Sequence, residues 1–362
     1  MASSVAVNRI SWVDYAKGIC IILVVLMHST LGVEKVMGEV SWLNGFITWA
    51  KPFRMPDFFL ISGLFLASRI NRPWSEYIDS KVVHFYYFYL LWMVIQFIFK
   101  GYGVYQTDGV AGLSTSFFHG LIEPYGTLWF VYLLPIFFVM TKLLVRVSPL
   151  LVILVAVISE SLPIATGWIV IDETAARFVY FFVGYWLSVK VFQLAAWLQS
   201  QTTTSLLSSL FIWGVFNAWF VNNQLSGLPI FSIALGFIGA SAVIAVAILL
   251  ERSRFANLVR YCGENSIVIY LSFFLFMAAS RTAIAKFYPM QDAGLIALLV
   301  TFAAVFGPLM LHRLIKNTSL AFLFVRPRWA SLPTNLLSWH TQRHEQPAPQ
   351  IKRPRLSKTK AR

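Results

Sequence analysis

A chain of 362 residues with 58% hydrophobic and only 12% charged residues is too apolar and too poor in charge for a soluble domain. Its net charge of +14 does not mark a nucleic-acid binder. The segment 317–362 alone carries Arg326, Arg328, Arg343, Lys352, Arg353, Arg355, Lys358, Lys360 and Arg362 against one acid, Glu345, and a basic tail after a last span follows the positive-inside bias and lies near anionic lipid.

A helical span needs about 20 apolar residues. Charge-free stretches recur at Gly18 to Val33, Val82 to Phe99, Pro124 to Thr141 and Val191 to Leu250, the last interrupted by polar clusters. They are continuous rather than alternating, which selects helices over a barrel. The reading is an all-α, polytopic membrane bundle with about ten spans, near 15–33, 52–69, 82–100, 125–143, 149–166, 175–195, 205–222, 228–250, 263–282 and 292–314. Residues 1–316 form the membrane domain, and 317–362 a basic, largely disordered cytoplasmic tail. Lys and Arg concentrate on one side, which puts both termini in the cytoplasm. The N-terminus shows no cleavable signal pattern. Cys20 and Cys262 have neither disulfide nor metal spacing, so no metal site is expected.

Charges within spans cost about 2.5–3.5 kcal/mol each, so each calls for a partner or a role. The first span, WVDYAKGICIILVVLMHST, holds Asp14, Lys17 and His28. Lys17 and His28 are eleven residues apart, which places them on nearly one helix face with a rise of roughly 16 Å. Asp14 is one turn before Lys17 and in reach of it. Histidine suits general-base chemistry near neutral pH; the alternatives are an interior histidine bonded to another helix and a lysine that snorkels.

The second span, KPFRMPDFFLISGLF, holds Arg54 and Asp57 at a spacing that allows an ion pair. It reads either as a stapled, proline-loosened helix start or as a place where Arg54 holds an anionic or sugar group. The next loop carries Arg69, Arg72, Lys81 and His84, suited to phosphate groups or simply set by topology. Glu123 precedes the span YGTLWFVYLLP. Glu264, Asn265 and Ser266 open the segment ENSIVIYLSFF as helix caps.

Taken in order, these segments resemble the membrane acyltransferase-3 family. Its signature of a basic residue, ten residues and a histidine matches Lys17 and His28. FRMPDFFLISGLF resembles its second-span motif, GTLWFVYLL its Leu-Trp-Phe span, and GENSIVIYL its late Gly-x-Asn-Ser motif. Lys81 and His84 stand about where the family often has a second basic pair, and Ser272 stands where a histidine often follows Ile-Tyr-Leu.

The resemblance implies a multi-pass protein of the bacterial inner membrane. The implied reaction moves an acetyl or other short acyl group from cytosolic acyl-CoA to a hydroxyl of a surface or periplasmic glycan. Acetyl-CoA is then a co-substrate, with no tightly bound cofactor and no nucleic-acid partner. His28, Lys17 and Asp14 become the expected catalytic residues. Arg54, Asp57, Glu123, Arg69, Arg72, Lys81 and His84 become the expected substrate contacts. With no hydrolase-like domain following, the membrane part or another protein completes the transfer. The rival reading is a proton-coupled secondary transporter, which predicts broken helices at matching positions of two inverted repeats.

Overall fold

The computed structural model describes residues 10–253, 256–287 and 292–332, and among them every regular element is helical. The chain is an all-α, polytopic membrane bundle. In order it runs α1 Ser11–Met37, α2 Leu43–Trp49, α3 Lys51–Leu64, α4 Trp74–Ile78, α5 His84–Ile122, α6 Trp129–Leu143 and α7 Pro149–Ser161. It continues through α8 Ile169–Trp186, α9 Ser188–Ser200, α10 Thr203–Asn222, α11 Phe231–Arg252, α12 Asn257–Glu264, α13 Ser266–Phe287 and α14 Ala293–Ile315.

Among the described residues seven helices are long and apolar enough to cross a membrane, or eight when α8 and α9, bent by 76° to one another, count as one span. The expected ten differ in identifiable places. The second expected span is the 14-residue α3 and the fifth the 13-residue α7, each about 20 Å long against a hydrocarbon core of about 30 Å. Helix α3 buries eleven of its residues, Phe53 to Ile61 with Gly63 and Leu64; it is sheathed by protein and has no need to reach both surfaces. One helix pair, α8 with α9, is bent at a short break among the described residues, where a repeat transporter predicts two broken helices at matching positions.

The third expected span is longer than its hydropathy window. Helix α4 passes through a π-helical turn at Asp79–Val83 directly into α5. At Gly109, with φ 65°, the chain reverses, a backbone conformation that glycine adopts without steric cost. Beyond it Leu113 lies against Gly101, Phe117 against Phe97 and Gly120 against Met93. The expected outer loop is thus the return arm of a helical hairpin, closed by the buried Tyr89 hydroxyl, which donates to Gly120 O and accepts from Tyr125 N.

Helix α1 is the hub, packed against α3, α11, α12, α13 and α14. Its backbone touches that of α12: a Cβ on Gly263 would sit 1.6 Å from Asp14 O, and one on Gly18 2.0 Å from Val259 O. Gly63 and Gly184 do the same for α3 and α8, each 2.2 Å from a carbonyl oxygen of the facing helix. Small residues drive such association where lipid removes the hydrophobic contrast between helices. Asn217, fully buried, ties α10 to α2 through Trp49 O at 2.8 Å, and Trp49 Nε1 donates back to Gly214 O at 3.1 Å.

The tail departs from expectation at its start. Residues 319–323 form a 3-10 turn on α5, where Trp92 donates to Leu323 O and Tyr87 to Phe322 O, both at 3.0 Å. Arg326 then grips Asp79 with two nitrogens at 2.6 and 3.0 Å. Packing therefore continues past the expected boundary at 316; the rest of the tail, 333–362, lies outside the described residues.

The wall facing Gly263 is backbone, which cannot rotate away. Gly263→Ala is expected to cost more than the roughly 1–3 kcal/mol typical of overpacking. Gly103→Ala, with open space around it on an exposed turn of α5, is expected to be neutral or to stabilise by about 0.5–1 kcal/mol. Thermal unfolding in detergent checks both; equal midpoints would remove the α1–α12 contact as a stability determinant.

Candidate functional site

A cavity of about 250 Å³ opens between α1, α3, the π-turn, α6 and α13. Aromatic rings from Phe58, Phe65, Phe85, Phe130 and Phe138 form its walls, while its polar atoms come from Lys17, Ser62, Lys81, Ser266 and Tyr270. Lys17 rises from α1 beside Asp14, at 4.0 Å, and lies 5.7 Å from the Phe65 ring centre. Lys81 comes from the π-turn and stands 4.5 Å over Phe138. Two lysines remote in sequence thus face one apolar cavity. A second cavity of about 260 Å³, between α6, α7 and α8, has no charged residue in its lining.

The chain leading to Lys81 is tied down by Lys142, near the end of α6. Its buried ammonium donates to Ile70 O and Arg72 O, both at 2.7 Å, and sits over the rings of Trp74 and Tyr77. Tyr77 adds a hydrogen bond to Phe138 O at 2.7 Å. The loop after α3 and the short helix α4 are thus each stapled to α6, and the π-turn follows α4 directly. Arg69 is exposed and Arg72 pairs with Glu76 at 3.9 Å; neither lines the cavity, although the charges of both reach Lys81. His84 packs edge-on to Phe85 and Phe88, near Asp79 and Arg326, and is likewise outside the lining.

Helix α13 runs beside α1 in the same direction. Ser266 shares the cavity with Lys17, Phe273 stacks on His28 with ring centres 5.4 Å apart, and Arg281 donates to Gly32 O at 3.1 Å. The helix face shared by Lys17 and His28 is therefore a real seam, with His28 half-buried further along it. Between them Tyr270 caps α6: it accepts from Phe130 N at 3.0 Å and donates to Thr127 O at 2.5 Å. This bond joins the late sequence motif to the Leu-Trp-Phe motif.

The expected Arg54–Asp57 pair is not formed. Asp57 is fully buried and accepts from Cys20 Sγ at 2.7 Å, while its Oδ1 has no partner. The Arg54 guanidinium runs back to Ile47 O at 3.4 Å, at the C-terminal turn of α2, where helix carbonyls favour a cation. The i,i+3 spacing permits a pair, but the two side chains serve different neighbours. Glu123 also has a structural occupation: it accepts from Ile169 N and so caps α8. Cys20, Ser62, Lys142 and Tyr270 were not expected as site residues from sequence. Of these only Lys142 lies outside the segments already marked.

The acyltransferase domain family matches residues 10–313. The inner membrane protein YcfT of Escherichia coli is 24% identical over 89% of this chain and 96% of its own length. The nodulation protein NolL of Sinorhizobium fredii is 30% identical over 39% of this chain and 38% of its own. No solved structure matches.

Removing the Tyr270 hydroxyl strands the Phe130 amide at a buried helix start, a loss of about 1–3 kcal/mol. Tyr270→Phe is expected to lower the unfolding midpoint in detergent and to loosen the α6 end of the cavity. Hydrogen exchange at residues 127–131 reads the second effect; unchanged protection there would contradict the cap.

Proposed function

We propose, from the premise that this chain belongs to the acyltransferase-3 family and is a multi-pass inner-membrane protein, that it moves an acetyl or other short acyl group from cytosolic acyl-CoA to a hydroxyl of an envelope glycan. The observation that carries this reading is the meeting of Lys17 and Lys81 on one aromatic-walled cavity, from which α1 and α13 lead together to His28. Ammonium groups at a membrane surface suit the phosphates of a nucleotide-bearing donor. An apolar cavity suits the thioester arm.

In this mechanism acyl-CoA docks from the side of the α1 N-terminus, with Lys17 and Lys81 on its phosphates and Arg69 and Arg72 at the approach. Lys17 and His28 are separated by roughly 16 Å along α1, a gap bridged by the pantetheine arm rather than by the nucleotide. The acceptor hydroxyl attacks the thioester carbonyl carbon, His28 takes the hydroxyl proton, the C–S bond breaks, and the proton passes to the departing thiolate. Arg54, on the far half, offers an unpartnered Nε to the negative charge that develops on oxygen. Asp14 orients Lys17. Asp57, bonded to Cys20, holds α3 to α1 in this reading and does not touch substrate.

The test is label transfer from acetyl-CoA, radiolabelled in its acetyl group, to cell-envelope glycan in membranes with matched expression. His28→Ala is expected to lower the rate at least about a hundredfold. Lys17→Ala is expected to raise the KM for acetyl-CoA about ten-fold or more, by loss of a charge-assisted contact. Full activity of His28→Ala would make His28 a packing residue and end this mechanism. Label that never leaves CoA in the wild type would remove acetyl-CoA as donor.

A further inference from the structure

On the side where α1 ends, the acids are largely occupied. Glu34 accepts from Ser41 and Asn44, Glu123 from Ile169 N and Glu160 from Ser232. Asp172 accepts from Thr166, Glu173 pairs with Arg177, and Asp292 accepts from Leu295 N. Two of the cations there are not matched in this way. Among the described residues neither Arg54 nor Lys100 makes an ion pair, and both charges reach His28. This half of the bundle therefore carries positive charge facing His28 without a carboxylate of its own.

Lys100 is placed to use it. Its ammonium stands 4.2 Å from the Phe274 ring centre and 5.1 Å from that of Tyr125. Phe274 is the chain neighbour of Phe273, which stacks on His28. One turn before Lys100 on α5, Gln96 is fully buried; its Nε2 donates to Thr127 Oγ1 at 3.2 Å, and its Oε1 has no partner. The two groups converge at Gly126: a Cβ there would lie 2.5 Å from Lys100 Nζ and 2.8 Å from Gln96 Oε1. Gly126 is exposed, with φ +62°, and places no side chain over the pair. A cation and a free carbonyl acceptor, side by side between aromatic rings, match a sugar that carries an anion beside a hydroxyl.

We propose that Lys100 and Gln96 form the acceptor subsite and select a negatively charged sugar, the ammonium taking a carboxylate or phosphate and Gln96 Oε1 a ring hydroxyl. The word acceptor rests on the acyl-transfer reading above; the binding of an anionic sugar does not. Lys100 is here a positioning residue that sets specificity, with no part in the bond changes.

The experiment uses the full chain in detergent, as wild type, Lys100→Met and Lys100→Arg. Its unfolding midpoint is titrated with glucuronate, glucose 6-phosphate and glucose at fixed ionic strength. Glucuronate or glucose 6-phosphate is expected to raise the wild-type midpoint where glucose does not, and the responding probe identifies the anion. Lys100→Met is expected to weaken that response about ten-fold or more, and Lys100→Arg to retain most of it, which separates lost charge from lost folding. Equal stabilisation by glucose, no response to either anion, or an unchanged Lys100→Met overturns the subsite. Label transfer with the same variants runs alongside. A higher KM for the acceptor, at an unchanged KM for acetyl-CoA, supports the assignment. Anion binding without any transfer would leave the subsite standing and remove the acyl-transfer reading.

Discussion

Two backbones in contact set the geometry of this protein. At Gly18 and Gly263 the helices α1 and α12 approach so closely that no side chain fits between them, and α13 starts immediately after α12. The seam from Lys17 to His28 is therefore positioned by main chain, the least compliant part of a protein. Everything that faces the seam inherits its placement: Ser266 and Tyr270 at the cavity, Phe273 at His28. In a lipid solvent, where burying one apolar side chain against another gains little, close backbone approach and buried hydrogen bonds replace the hydrophobic core as the source of order. The Lys142 staple and the Tyr270 cap are the polar counterpart of the glycine contacts.

Sequence alone reached the helical membrane class, because length and apolarity of a span are local properties. It also reached the shared face of Lys17 and His28, since helical periodicity inside an unbroken α1 is enough to fix it. It did not reach the true extent of several spans. The return arm after Gly109 and the shortness of α3 depend on what the helix packs against, and hydropathy does not see that. The Arg54–Asp57 pairing failed for the same reason: spacing states what two side chains can do, while Cys20 and Ile47 O decided what they do. Lys142 drew no reading of its own, because a Lys at a span end usually serves topology; that it curls back onto two carbonyls is tertiary information. Lys100 and Gln96 carried no motif at all, and their convergence depends on the loop at Gly126.

The site is divided between unequal environments. Near the start of α1 the lysines stand among aromatic walls, with arginines around the approach. Near its end, the charges of Arg54 and Lys100 reach a histidine while most carboxylates are spent on caps and turns. Such a division suits a protein that handles two different polar molecules from opposite ends of one helix face, since each end presents its own charge pattern and the apolar middle separates them.

The tie between α1 and the last helices has a consequence for biosynthesis. Arg281 bonds Gly32 across 249 positions, and Arg326 reaches Asp79 across 247. Helix α1 leaves the ribosome first, yet its partners α11 to α14 leave last. Until they arrive, Asp14, Lys17 and His28 face lipid or water instead of protein, at a cost borne by polar groups in an unassembled span. The cavity cannot exist in any shorter nascent chain, because Ser266 and Tyr270 complete its wall. Assembly is thus closed by the final third of the chain returning to the first helix, and a chain truncated before Ser266 holds most of its helices but lacks part of the cavity wall.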